Sequence, residues 1–341
     1  MKSAITYSKG LSVSETKSSQ SSSTQQKTPF GVMLQKEVSG IVHSWKFVVL
    51  IILMALTFFG SMYVSLSNIS KAFKNLSDPN HQFLYLKLLT TTDGTLPPFH
   101  VFISFIGPLL GISLGFDAVN TELGSGTLIR LLAQPIYRDN VLLSKFVSAL
   151  IVISTLFISL SLLMIGGGLL ITGVRIEPEE FLRILCFVII SVVYVGFWIS
   201  LSILFSIKFR QAAASALTAI GIWMFFTIFF PLIVNLVVKA FLPDPSFLSQ
   251  GEMLSYNHLI LDIMRVSPSQ TYSDAVTTLL MPSVRSLGPL TMEQMAGAIP
   301  SPLSLKESLM VVWPQVTGLI AATLLCFALS YYLFMRKEIK S

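Results

Sequence analysis

Six long apolar runs constrain this chain more than any other feature. They cover residues 47–66, 98–116, 146–170, 184–207, 212–238 and 312–335, and each is close to the about 20 residues that carry a helix across a bilayer core. Together they hold one ionisable side chain, His100. Backbone in lipid must satisfy its own polar groups, so such runs predict helices, and the fold class is an all-α integral membrane protein with six transmembrane helices. Composition bears on the same point. Only 12% of the 341 residues are charged, against about 25% in soluble domains, which is too little to keep a chain of this length in water. Cys186 and Cys326 fall inside spans, where they act as small hydrophobes.

The flanks supply topology. Residues 1–28 are rich in Ser, Thr, Gln and Lys, with too little apolar surface to offset ordering, and are expected to form a disordered cytoplasmic tail. The first apolar run starts only at Phe47, so the tail is not a signal peptide. Phe30, Leu34, Val38, Ile41 and Trp45 recur at spacings of three and four, opposite Gln35, Lys36, Glu37 and His43, which predicts an amphipathic interface helix over 29–45. Six spans bring both termini to one side. That side carries 14 Lys and Arg residues and the other carries 9, spread over longer segments, so both termini are expected in the cytoplasm of a multi-pass plasma-membrane protein. The net charge of +6 lies mostly in these flanks and points to membrane lipid rather than nucleic acid as the partner. On the far side, 241–311 is too long for a bare loop. Helical spacing at Met253, Tyr256, Ile260 and Met264, an element after Ser267-Pro268-Ser269, and a capping box of Ser304 with Glu307 predict a helical extracellular segment between helices 5 and 6, with re-entrant pieces within it left open.

Spans whose one ionisable group, His100, sits near a span end lack the groups that ion-coupled carriers and intramembrane enzymes hold at depth. No catalytic, cofactor-binding or metal site is therefore expected. The sequence Glu179-Glu180-Phe181-Leu182-Arg183 resembles the paired glutamates and arginine of membrane-embedded prenyl-protein proteases. Its spacing is one residue short, however, and it is expected to be a solvated turn capping the fourth span. Gly107, Gly111 and Gly115 stand four apart on one helix face, suited to close approach of a neighbouring backbone; packing within this bundle and a dimer seam are both open. In the fifth span Pro231 deprives the Thr227 carbonyl of its helical donor, with Asn235 one turn later, so a kink is expected there.

The most detailed segment is 117–145, DAVNTELGSGTLIRLLAQPIYRDNVLLSK. It begins with Asp117 and Glu122, turns at Gly124-Ser125-Gly126 and starts a short helix near Thr127 with Leu128, Leu131 and Leu132 on its apolar face. Pro135 ends that helix, and Arg138-Asp139 leads into the third span. This pattern resembles the ABC-2 family of ABC transporter permeases. In that family the connection between the second and third spans reads as an acidic residue, Glu, Gly-Thr-Leu, Pro, Arg and Lys, matched here by Asp117, Glu122, Gly126, Thr127, Leu128, Pro135, Arg138 and Lys145. Lys36 and Glu37 match a Lys-Glu in the family's interface helix. The long segment between spans five and six departs from the family's short re-entrant helices, although Ser267-Pro268-Ser269-Gln270-Thr271-Tyr272 is similar to a motif of some members.

The resemblance implies the membrane subunit of an exporter. The chain has no G-x-x-x-x-G-K-[ST] phosphate loop, so ATP and Mg would sit on a separate ABC ATPase subunit, and this chain would bind no cofactor and not be an enzyme itself. A second permease copy or homologue is implied too. The loop would be the coupling helix, with Asp117, Glu122, Gly126, Thr127, Leu128, Leu131, Pro135 and Arg138 docking the ATPase beside Lys36 and Glu37. A non-transporting membrane scaffold and an ATP-independent carrier are the alternatives.

Overall fold

The computed structural model describes residues 29–74, 83–91, 94–133, 137–241, 259–282 and 303–336. Among them the regular structure is helical throughout: α1 (Pro29–Val42), α2 (Trp45–Lys74), α3 (Leu84–Thr90), α4 (Phe99–Gly115), α5 (Asn120–Gly124), α6 (Thr127–Leu132), α7 (Arg138–Thr172), α8 (Pro178–Lys208), α9 (Ala212–Met224), a π-turn (Phe225–Phe229), α10 (Phe230–Phe241), α11 (Pro268–Leu280) and α12 (Leu305–Arg336). Six segments are long and apolar enough to cross a membrane: Trp45–Ser67, Phe99–Gly124, Arg138–Thr172, Pro178–Lys208, Ala212–Ala240 and Leu305–Arg336. The helices outrun the apolar runs because backbone hydrogen bonding does not stop where side chains turn polar. The connection expected to reach residue 145 is thus already helix from Arg138. The expected tail at 1–28, and Met253 and Tyr256, lie outside the described residues.

α8 is the axis of the bundle. Of its spanning window 72% is buried, against 17% for the fifth span and 22% for the sixth. The glycines of the second span face it. A methyl group at Gly107 would lie 3.1 Å from the Val195 side chain. At Gly111 it would lie 2.8 Å from the Val195 carbonyl oxygen and at Gly115 2.9 Å from that of Ile199. This face is therefore a packing seam within the chain. At the same seam Ser202 Oγ donates to the Ile112 carbonyl at 3.0 Å.

The sequence at 179–183 is not a solvated turn. Glu180 is 2% exposed and Arg183 is fully buried, because two other segments close over them. Glu180 accepts from the Tyr85 N–H of α3 (2.9 Å) and from the Glu177 N–H (3.3 Å), which caps α8. Arg183 bonds Glu179 (2.8 Å), the carbonyls of Leu279 (2.9 Å) and Leu303 (2.6 Å), and Ser308 Oγ (3.1 Å). It thereby clasps the end of α11 to the start of α12, and the Ser304–Glu307 capping box opens α12 as expected.

From this clasp α11 runs into the bundle, the course that the sequence leaves open. Its other end meets α8 at Tyr194, whose ring stacks on Tyr272 at 4.3 Å. Arg183 to Tyr194 is eleven residues of helix, about 16 Å at 1.5 Å each, so α11 is re-entrant. Apolar Tyr272, Ala275, Val276 and Leu279, all buried, make the inward face that allows it.

Gly111→Ala is expected to cost about 1–3 kcal/mol, since its methyl meets backbone atoms that cannot step aside. Gly221→Ala, where a methyl meets nothing within 4 Å, is expected to be neutral or stabilising by up to about 1 kcal/mol. Thermal unfolding of the two purified variants in mild detergent checks the contrast.

Candidate functional site

The connection between the second and third spans is short, polar and fastened at several points. As α4 ends, the chain turns so that the backbone N–H groups of Val119 and Asn120 both point at Ser206 Oγ near the end of α8 (2.9 and 3.2 Å). That buried hydroxyl satisfies two of the free donors with which α5 begins. α5 and α6 are joined by Gly126, whose φ of +69° suits glycine because it has no Cβ to clash. Thr127 opens α6. Its hydroxyl donates to the Glu122 carbonyl (3.3 Å) and meets Ser125 Oγ at 2.7 Å, which ties the two short helices into one corner.

Charge holds this corner to the rest of the chain. Lys145 Nζ, on the second turn of α7, lies 2.8 Å from Glu122 Oε1 and 3.2 Å from Glu37 Oε2 of α1. Its side chain is only 6% exposed and the two carboxylates are 20% and 17% exposed, so one shielded ammonium bridges three segments far apart in sequence. Two acids face one base, and Glu122 Oε2 has no partner among the described residues. The junction therefore depends on the lysine more than on either acid. A second ion pair joins Lys46, at the start of α2, to Asp117, and the Lys46 ammonium also lies 4.5 Å from the Phe116 ring centre. Lys36 is on the surface, 3.8 Å from Glu37, where an ion pair contributes little.

Of the residues expected to form the docking site, the structure brings Glu37 and Glu122 together on Lys145 and pairs Asp117 with Lys46 of α2. Leu128 is 1% exposed and faces this chain's own core. Glu122 likewise spends one carboxylate oxygen on Lys145. Thr127 and Arg138 are exposed. Leu131 lies in α6, and Pro135 is outside the described residues. α1 packs against α7, with Met33 most deeply buried, while Trp45 opens α2 and is exposed. Sequence reasoning missed Ser206, a lone hydroxyl in an apolar run, and the central place of Lys145, which only its match to the loop pattern marked. The open face of the corner carries Thr121, Gly124, Ser125, Thr127 and Arg130. Among the described residues no cluster of His, Cys, Asp or Glu could hold a metal.

Six long apolar helices, the fourth of them a buried axis, with a fastened pair of short helices between the second and third, define a multi-pass membrane protein. The chain matches the family described as "ABC-2 family transporter protein" over residues 32–339, and it belongs to that family. It is similar to the "Probable ABC transporter permease protein NosY" of Pseudomonas aeruginosa, at 24% identity over 73% of this chain and 82% of that protein. The protein of the same name from Stutzerimonas stutzeri is 28% identical over 42% of this chain, a match spanning about half (52%) of that relative's length.

Lys145→Met leaves two carboxylates without their shared cation and is expected to destabilise the chain by about 3–5 kcal/mol. Glu37→Gln leaves the Lys145–Glu122 pair in place and is expected to cost about 1 kcal/mol. Denaturation midpoints of both variants in the same detergent check the order.

Proposed function

We propose that this chain is the permease subunit of an ATP-driven exporter, coupled to a separate ATPase subunit through α5 and α6 and working beside a second permease copy. The family and its permease relatives support a transporter membrane subunit. The observation that carries the coupling is the Glu122–Lys145–Glu37 junction. A push on a free loop is dissipated in the loop, whereas a push on this corner reaches α1 and α7 through Lys145, α2 through Asp117–Lys46, and α8 through Ser206. ATP and Mg belong to the partner, which supplies the energy that spans poor in charge cannot draw from an ion gradient. Docking falls to the exposed face at Thr121, Ser125, Thr127 and Arg130, with Lys36 beside it. Leu128 and Glu122 hold that face in place from behind. The distribution of 14 basic residues against 9 supports placing this end, and both termini, in the cytoplasm of a plasma-membrane protein.

Purification of the chain with its neighbours is expected to bring a stoichiometric ATPase. Thr121→Arg puts bulk and charge on the docking face at an exposed side chain that does not tie the corner together, and is expected to lower the stimulated ATPase rate about tenfold or more, the loss expected when an interface hot spot is disrupted. A chain isolated alone, with no ATPase affected by changes over 120–134, would sink the coupling and leave a membrane scaffold as the better reading. A reporter fused after Ser341 is expected to read as cytoplasmic; an extracellular reading overturns the topology.

A further inference from the structure

The fifth span carries an irregularity that the coupling corner does not use. Pro231 has no N–H, so one carbonyl in the preceding turn must lose its partner. In an α-helix that carbonyl is Thr227, four residues back, as expected from sequence. In the structure the backbone runs in π register over Phe225–Phe229, and the Phe230 N–H donates to the Phe225 carbonyl five residues back. The same step of five moves the carbonyl orphaned by Pro231 to Phe226. That carbonyl has a substitute donor: Ser267 Oγ, at the N-terminal boundary of re-entrant α11, donates to it at 3.2 Å. Ser267 is 2% exposed. Two residues on, Ser269 Oγ meets the Thr227 hydroxyl at 3.3 Å and Tyr194 Oη at 3.0 Å, and Tyr194 Oη donates to the Ser104 carbonyl. The start of α11 is thereby tied to the second, fourth and fifth spans at the π-turn.

We propose that this π-turn is a register switch in the fifth span, and that Ser267 is the positioning residue that holds it in its present setting. A π-turn accommodates one residue more than an α-turn. Releasing it to α geometry rotates everything that follows by about 100°, one residue's share of a turn. Each site along α10 then receives the residue one earlier in sequence. Val234 and Val238 are now buried at 6% each, and Ile233 and Val237 are exposed at 48% and 45%. After release Ile233 and Val237 occupy the two buried sites. Both pairs are branched and apolar, four residues apart, so α10 can pack in either register and no large packing penalty opposes the change. What distinguishes the registers is which carbonyl lacks a donor. Ser267 answers the π setting, because its hydroxyl bonds Phe226 and not Thr227. Loss of contact between α11 and the π-turn would remove that preference. Within the permease reading, the fifth span then has two settings that movement of α11 selects. The switch itself does not rest on that reading, and its test involves no transport.

The full-length chain in its membranes, with Cys186→Ala and Cys326→Ala, receives single cysteines as Ile233→Cys or Val234→Cys, each carrying a nitroxide label, and the ratio of the labels' collision rates with oxygen, which dissolves in lipid, is measured. In the present setting the label at Ile233→Cys, on the exposed side of α10, collides more often. Ser267→Ala is expected to lower that ratio about tenfold, the scale on which an unsatisfied buried carbonyl shifts an equilibrium, and Ser267→Thr, which keeps the hydroxyl, is expected to preserve it. Pro231→Ala restores the missing N–H, so in that background Ser267→Ala is expected to leave the ratio unchanged. An unchanged ratio with Ser267→Ala alone, or the same fall in the Pro231→Ala background, overturns the proposal. If Ser267→Ala does not accumulate, the double variant with Pro231→Ala must accumulate, and its absence overturns the proposal as well.

Discussion

At Gly111 the second span comes so near the fourth that a methyl group would lie 2.8 Å from a backbone carbonyl oxygen. Most of the remaining architecture depends on that approach. Apolar helices gain nothing from one another that acyl chains would not also give them, so their mutual positions rest on close fit and buried polar bonds. The glycine face supplies the fit, and Ser202 and Ser206 on α8 supply the bonds, to Ile112 along the seam and to Val119 and Asn120 just beyond it. With α5 placed by Ser206, Glu122 arrives at Lys145 and the corner of α5 and α6 closes. Move α4 away from α8 and the corner loses its place before any of its own residues change.

α8 serves the other end of the bundle in the same way. Arg183, fully buried, gathers carbonyls from the ends of α11 and α12, and Glu180 takes the start of α3. A guanidinium with its donors committed to four acceptors is tolerable in such a setting because no donor faces the apolar interior unpaired. The first, fifth and sixth spans are far less covered, so a rigid axis with loosely covered outer helices is the basic form of this chain. Charge is absent from the middle of the spans and concentrated at their two ends, where it fastens connections.

Several elements were plain in the residue order, for reasons that can be stated. The six spans show because lipid forbids charge over a whole helix length, a constraint that marks every residue of the run. The Ser304–Glu307 box and the corner near Thr127 show because capping and turning are local chemistry. A re-entrant course for α11 stays open in the residue order and is not decided there, because a thirteen-residue helix with one apolar face looks the same outside the membrane or within it. The burial of Glu180 and Arg183 was missed for a related reason: their partners lie about 95 to 125 residues away, and neighbouring sequence reads only as a polar turn. The fifth span shows how small the gap can be. Pro231 announces a broken helix, but whether the free carbonyl is Thr227 or Phe226 depends on a hydroxyl forty-one residues distant.

The sequence by itself determined that this is a six-span helical membrane protein with a short helix before the first span and a patterned connection after the second, because hydropathy, helix period and turn chemistry act over a few residues at a time. The tertiary structure decided which partners those residues meet. It gave the glycine face to α8, Leu128 to the core, and Lys145 to both Glu122 and Glu37, and it carried α11 inside the bundle. Each is a contact between distant segments, chosen by the fit of the whole helix set.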